Sequence, residues 1–107
     1  MQKYLFKVRY TSEGLEGVMS AGGSARRAVA DDLAKNLGGS LECFHFAFGE
    51  DDAYFICELP DNKAAATLAM TVSSSGRVAI ATVPLLTVDE VDAVASGTKL
   101  EYSPPGM

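Results

Sequence analysis

The sequence predicts an α+β domain of ferredoxin-like order, β-α-β-β-α-β, with a four-stranded antiparallel sheet and an extra C-terminal helix. Three observations carry this. Four short runs rich in aromatic and β-branched residues read as strands: Tyr4–Tyr10, Leu41–Phe48, Ala53–Leu59 and Arg77–Leu86. Two stretches with helical spacing, Ser24–Leu37 and Lys63–Ser73, separate the first strand from the second and the third from the fourth. Only the middle two strands are joined by a short polar turn, Gly49-Glu50-Asp51-Asp52, which is a hairpin signal.

In the first run, Tyr4, Phe6, Val8 and Tyr10 fall on one face and Leu5, Lys7 and Arg9 on the other. Thr11 or Ser12 can cap a short helix carrying Leu15, Val18 and Met19, weakened by Gly14 and Gly17. Ala21-Gly22-Gly23 breaks the chain before the first main helix, for which Ser24 is the expected N-cap. There Val29, Leu33 and Leu37 form the apolar stripe, with Ala25 and Ala30 beside it. Arg26, Arg27, Asp31, Asp32 and Lys35 form the solvated side. Gly38-Gly39 ends the helix, because glycine enters the left-handed C′ conformation without a Cβ penalty.

The hairpin follows. Pairing Phe48 with Ala53 sets Phe46 against Phe55 and Phe44 against Cys57, an apolar face for the helices to cover. Cys43, His45, Ala47, Tyr54, Ile56 and Glu58 then share the opposite face. Pro60-Asp61 ends the third strand and Asp61 caps the second helix, which carries Ala64, Leu68, Ala69 and Val72 inward. Pro84 places the fourth strand at a sheet edge. Thr87-Val88-Asp89-Glu90 is a capping-box pattern opening a last helix with Val91, Val94 and Ala95, stopped by Gly97. Residues 1–97 are thus expected to form the domain and 98–107 a tail.

One domain is all that 107 residues accommodate. Nine Lys and Arg against fourteen Asp and Glu, a net charge of −5, leave no basic footprint for nucleic acid. No apolar run approaches the length of a membrane span, and Met1-Gln2-Lys3-Tyr4 enters a strand pattern rather than a signal peptide. With two cysteines in no metal or redox spacing, the expectation is a cytoplasmic protein with reduced thiols. Both main helices cover one sheet face, so Leu5, Lys7, Arg9, Cys43, His45, Tyr54 and Ile56 lie on a bare one. A bare face of this kind predicts a homodimer, or a higher oligomer, packed sheet to sheet.

Several stretches together resemble the bacterial GYD-domain family, small proteins of the dimeric α+β-barrel type. They are Tyr4 with Tyr10-Thr11-x-x-Gly14, Ala34-Lys35-Asn36-Leu37-Gly38-Gly39, Phe44-x-Phe46 with Gly49-Glu50-Asp51-Asp52-Ala53, Leu59-Pro60-Asp61-Asn62, and Leu86-Thr87-x-x-Glu90. The resemblance spans about residues 3–95. The family pattern at the hairpin turn is Gly-x-Tyr-Asp; Gly49, Glu50 and Asp52 fit it, and Asp51 stands in the Tyr position. The resemblance implies the fold and an oligomer, and it assigns no reaction.

His45 is the only histidine and the candidate general base. Arg9, Tyr54 and Glu58 join it as ligand-binding candidates: Arg9 to pair with a carboxylate or enolate, Tyr54 or His45 to donate a proton. The plainer readings are an interface histidine and interstrand ion pairs. Cys43 and Cys57 lie on opposite faces and do not bridge; with one histidine they complete no common metal set. Glu50-Asp51-Asp52 could hold a hard cation, yet a solvated turn explains it as simply. Gly22-Gly23-Ser24 matches no phosphate-binding fingerprint.

No cofactor or metal is called for. Two function classes remain. One is a non-catalytic module that binds a small organic molecule or a partner protein. The other is a cofactor-independent isomerase or monooxygenase for an aromatic or lactone-like molecule, with His45 as base.

Overall fold

A computed structural model describes residues 1–106. The chain runs β1 (Gln2–Tyr10), α1 (Ser12–Ala21), α2 (Gly23–Asn36), β2 (Ser40–Phe46), β3 (Ala53–Leu59), α3 (Asn62–Ser73), β4 (Val78–Leu85) and α4 (Val88–Ser96). The sheet is antiparallel in the order β2-β3-β1-β4, the ferredoxin-like arrangement. β4 is an edge strand, as Pro84 demands, since proline has no N–H for a ladder bond.

Alternation decides which face the helices cover. Tyr4, Phe6 and Val8 on β1 and Ala53, Phe55, Cys57 and Leu59 on β3 are buried beneath α2 and α3. Three rings line up across three strands: Phe6 stacks on Phe55 with centroids 4.8 Å apart, and Phe55 on Phe44 at 5.5 Å. Both are directly opposed pairs in the register, so strand pairing and ring packing reinforce each other. The Tyr4 hydroxyl donates to Asn62 Oδ1 at 2.7 Å, which satisfies a buried polar group.

The hairpin register differs from the expected one. Phe46, not Phe48, pairs with Ala53, and Phe44 pairs with Phe55. The turn is longer than expected and carries Phe48 at its tip, wholly exposed. A slip of two residues leaves every side chain on its face, so hydrophobic alternation alone does not distinguish the two registers. A bulge between Leu41 and Cys43 then restores Leu41 to the helix side, opposite Cys57.

Three helix ends follow the local chemistry. Asp61 accepts from the Ala64 N–H at 2.9 Å. Thr87 and Glu90 form the reciprocal capping box at 3.1 and 3.0 Å. Gly38 takes φ +83°, with its N–H donating to the Lys35 carbonyl and that of Gly39 to the Ala34 carbonyl, a Schellman closure.

The start of α2 departs from expectation. Gly22, at φ +89°, is the N-cap, and Ser24 lies inside the first turn. The Gly22 N–H still closes α1 by donating to the Val18 carbonyl, so one glycine both ends α1 and begins α2. The buried stripe of α2 is also rotated. Ala30 and Ala34 face the core, Leu33 and Leu37 flank it, and Val29 is 40% exposed. Small residues let the helix axis approach the aromatic ladder closely.

Gly14 has a tertiary reason. A Cβ there would lie 2.2 Å from the Arg77 carbonyl oxygen, which also accepts from the Thr11 N–H at 3.0 Å. The residue that weakens α1 locally is the one that lets it lie against the start of β4.

Candidate functional site

The bare sheet face is built as alternation requires. One row across the strands reads His45, Tyr54, Lys7, Ala81; the next reads Cys43, Ile56, Leu5, Val83. His45 and Arg9 are exposed, while Tyr54 and Glu58 are half-buried. His45 and Tyr54 are directly opposed. The Tyr54 hydroxyl donates to Asp51 Oδ2 at 3.1 Å, and this bond holds the phenol protonated above its usual range. Glu58 sits opposite Lys3, which it and Glu42 engage together, and the Glu42 carboxylate foremost holds the ammonium charged to higher pH. Arg9 pairs with Ala79 at the other end of β1. Lys3 and Arg9 are six positions apart, about 20 Å of strand. The face therefore brings His45 and Tyr54 together and keeps Arg9 and Glu58 apart.

The acidic turn is not the solvated loop expected of it. Asp51 is 7% exposed beneath Tyr54. Asp52 ties three segments: its carboxylate accepts from the Tyr10 N–H at 2.8 Å, its own N–H donates to the Val8 carbonyl, and its carbonyl accepts from the Ala47 N–H. Asp52 fastens the hairpin to β1, and Asp51 braces the turn against Tyr54 of β3. Among the described residues, no cluster of His, Cys, Asp and Glu could hold a metal ion.

Cys43 and Cys57 are both free thiols, Cys57 wholly buried and Cys43 half-buried. Burial pushes the Cys57 thiol up to about 12, with Cys43 and Asp31 adding to it. Burial likewise raises the Tyr4 phenol, with Asp61 adding. Both groups hold their protons more tightly folded than unfolded. Their stabilisation is complete below the ordinary thiol value near 9 and is lost as pH rises toward 12, because only the unfolded chain then ionises. The urea midpoint is expected to be level from pH 7 to about 8.5 and to fall between pH 9 and 11. Cys57→Ala should remove the earlier part of that fall. A midpoint at pH 10.5 equal to that at pH 8 would contradict the assignment.

A second region combines volume with a free donor. A cleft of about 540 Å³ opens on the helix side, between α1, α2, the C-terminal end of α3 and the adjoining ends of β1 and β4. Its walls are mostly apolar, with Val18, Val29, Leu33, Val72 and Val78, and its polar groups include Tyr10, Arg26, Glu13 and Arg77. A recess of about 20 Å³, the size of one water or methyl group, runs behind it toward Phe44 and Phe55. Glu13 and Arg77 form an exposed ion pair at 3.8 Å on the rim, worth little to stability.

Arg26 does not belong to the solvated side of α2. It is half-buried in the cleft beside Tyr10, and its Nε is buried without a hydrogen-bond partner among the described residues. Burial raises the Tyr10 phenol, and the Arg26 guanidinium partly offsets this. Arg26 and Tyr10 can together present a cation, an N–H donor and a phenol to a ligand's anionic or acceptor group, above apolar walls that would take a hydrocarbon body.

Sequence reading placed Tyr10 on this side of the sheet, put Arg26 on the solvated side of its helix, and missed Arg77. Gly17, which adds no side chain to the cleft and has no heavy atom within 4 Å of a Cβ there, was the available signal: a glycine that disfavours its own helix without an obvious turn role.

A family model described as GYD domain matches residues 4–95, from β1 into α4. No curated protein and no solved structure matches the chain.

Proposed function

The chain belongs to the GYD-domain family, and from that premise we propose that it is a homo-oligomeric, non-catalytic module holding a small organic molecule in the helix-side cleft. The observation that carries the proposal is the unpartnered Arg26 Nε in the wall of an apolar cleft. The rest of the same guanidinium lines the cleft beside Tyr10, where its charge would pair with a ligand anion. The chemistry favours a largely apolar molecule bearing a carboxylate or similar anion.

The homo-oligomer rests on the bare sheet face, where Leu5, Ile56 and Val83 form an apolar band with a second copy as its natural cover. No helix among the described residues is long and apolar enough to cross a membrane. Free thiols suit a reducing compartment, so we place the protein in the cytoplasm. The domain boundary near Gly97 belongs to the same proposal.

A second reading makes the chain a cofactor-independent isomerase or monooxygenase for an aromatic or lactone-like molecule. Its supporting observation is His45 opposed to Tyr54, whose hydroxyl is oriented by Asp51. His45 would act as base and Arg9 would neutralise a carboxylate or enolate, in a site closed by the second copy.

Thermal shift with 1-naphthoate, and with 1-naphthamide as its neutral analogue, separates the two. The cleft reading expects 1-naphthoate to raise the melting temperature by at least about 3 °C, a shift lost in Arg26→Gln and kept in His45→Ala. No stabilisation by 1-naphthoate, or an equal shift in Arg26→Gln, would sink it. A shift lost only in His45→Ala would move the site to the sheet face.

A further inference from the structure

The strand β4 does not end the molecule. Beyond Leu85, the last residue it presents to the bare face opposite Lys3, the chain continues as an arm through α4 to the tail. α4 buries none of its residues. Val88, Val91, Val94 and Ala95 lie on one side of it, at i, i+3, i+6 and i+7. Val88 is 79% and Val94 69% exposed, and Leu86, Leu100 and Tyr102 on either side of the helix are exposed too. The radius of gyration is 17.0 Å, against about 13 Å for a compact domain of this length. Residues 97–106 form no helix or strand; Met107, the end of the expected tail, lies outside the described residues.

A nine-residue helix is too short to be stable in water by itself, even with its capping box, so an ordered α4 needs a surface to lie on. Charge narrows what that surface is. α4 carries Asp89, Glu90 and Asp92 and no basic residue, which repels anionic lipid and nucleic acid. Area points to a second copy. Four strands about 4.8 Å apart and about seven residues long present roughly 450 Å² of flat face, well short of the roughly 800 Å² each partner buries in a stable dimer. The arm leaves from the edge of that same face and supplies the missing apolar area.

We propose that the arm from Leu86 to Tyr102 docks its valine stripe on the second copy, clasping the sheet-to-sheet dimer. This rests on the homodimer of the preceding reading. The arm is therefore part of the interface rather than an appendage, and the family match ending within α4 includes its first turns.

The test is the oligomeric state of the full chain by light scattering coupled to size exclusion, for the wild type, Val88→Gln/Val91→Gln and Val83→Glu. Glutamine is at least as good a helix former as valine, and neither arm position touches the core, so the double variant keeps its fold and helix. Expected is a wild-type dimer whose dissociation constant rises roughly 100-fold or more in the double variant. A wild-type dimer weakened by Val83→Glu but not by the double variant would overturn the clasp and leave the sheet interface standing. A wild-type monomer at micromolar concentration would overturn both, as for an arm folded back on its own chain.

Discussion

Phe6→Ala is expected to cost about 4 kcal/mol of unfolding free energy, the largest loss from any single side chain in this protein. Phe6 has no exposed surface, lies at the centre of the sheet on β1 and stacks on Phe55 at 4.8 Å. Its removal takes away the transfer energy of a phenyl group and leaves a cavity in the aromatic ladder. Phe55 cannot fill that cavity, because Phe44 holds it from the other side at 5.5 Å. A domain of this size has about 5–15 kcal/mol in all, so the melting temperature should fall by some 15 °C or more. Phe6→Leu keeps most of the volume and should lose about 1.5 kcal/mol or less. Phe46→Ala, at a ring 45% exposed over Gly23, should cost about 1 kcal/mol. Urea unfolding at 25 °C ranks the three, and a Phe6→Ala loss below that of Phe46→Ala would contradict the placement of the core.

Gly39→Ala should be nearly as damaging, at about 3 kcal/mol, though it adds only a methyl group. A Cβ at Gly39 would sit 1.9 Å from the Glu58 carbonyl oxygen and 2.9 Å from Leu59 Cδ2. The nearer obstacle is backbone of β3, so no rotamer change relieves it. β2 would have to move off its neighbour at the point where the Gly39 N–H closes α2 on the Ala34 carbonyl. Gly49→Ala is the control within the hairpin: nothing lies within 4 Å of its Cβ position, and a change of about 0.5 kcal/mol or less is expected there. Equal urea midpoints for the two variants would show that β2 and β3 do not approach as described.

These two sites differ in how visible they were. Phe6 was legible from alternation, which fixes a strand residue's face once one face is buried. Gly39 was legible as a helix stop, and its second duty, the approach to Glu58, depends on a strand nineteen residues away. The cap at Thr87 and Glu90 and the Gly38-Gly39 closure were legible because their partners lie within five residues. Ser24 looked like a cap by the same logic. It lost to Gly22, because α1 has to end and α2 begin within one residue.

The candidate site was legible in part. Alternation placed His45 and Tyr54 on one face, and Tyr10 on the other. It could not show that Arg9 and Glu58 stand at opposite ends of that face, since their distance follows from strand order and register. Nor could it tell Arg26 from Arg27: one turns into the cleft and the other stays exposed, according to how α2 is rotated over the sheet. Asp51 and Asp52 read as ordinary turn residues and proved to be fasteners, because their partners Tyr54 and Tyr10 come from the flanking strands.

By itself, the order of residues determined the elements, most of their ends, the ferredoxin-like topology and the face each strand turns to the helices. These depend on periods of two and 3.6 residues and on caps that bond within one turn. Only the tertiary structure decided the hairpin register, the rotation of α2 on its alanines, the cleft that leaves Arg26 Nε without a partner, and the arm that stands away from the body. Each of these is set by contacts between segments far apart in the chain, where several arrangements satisfy the same local pattern and packing selects one.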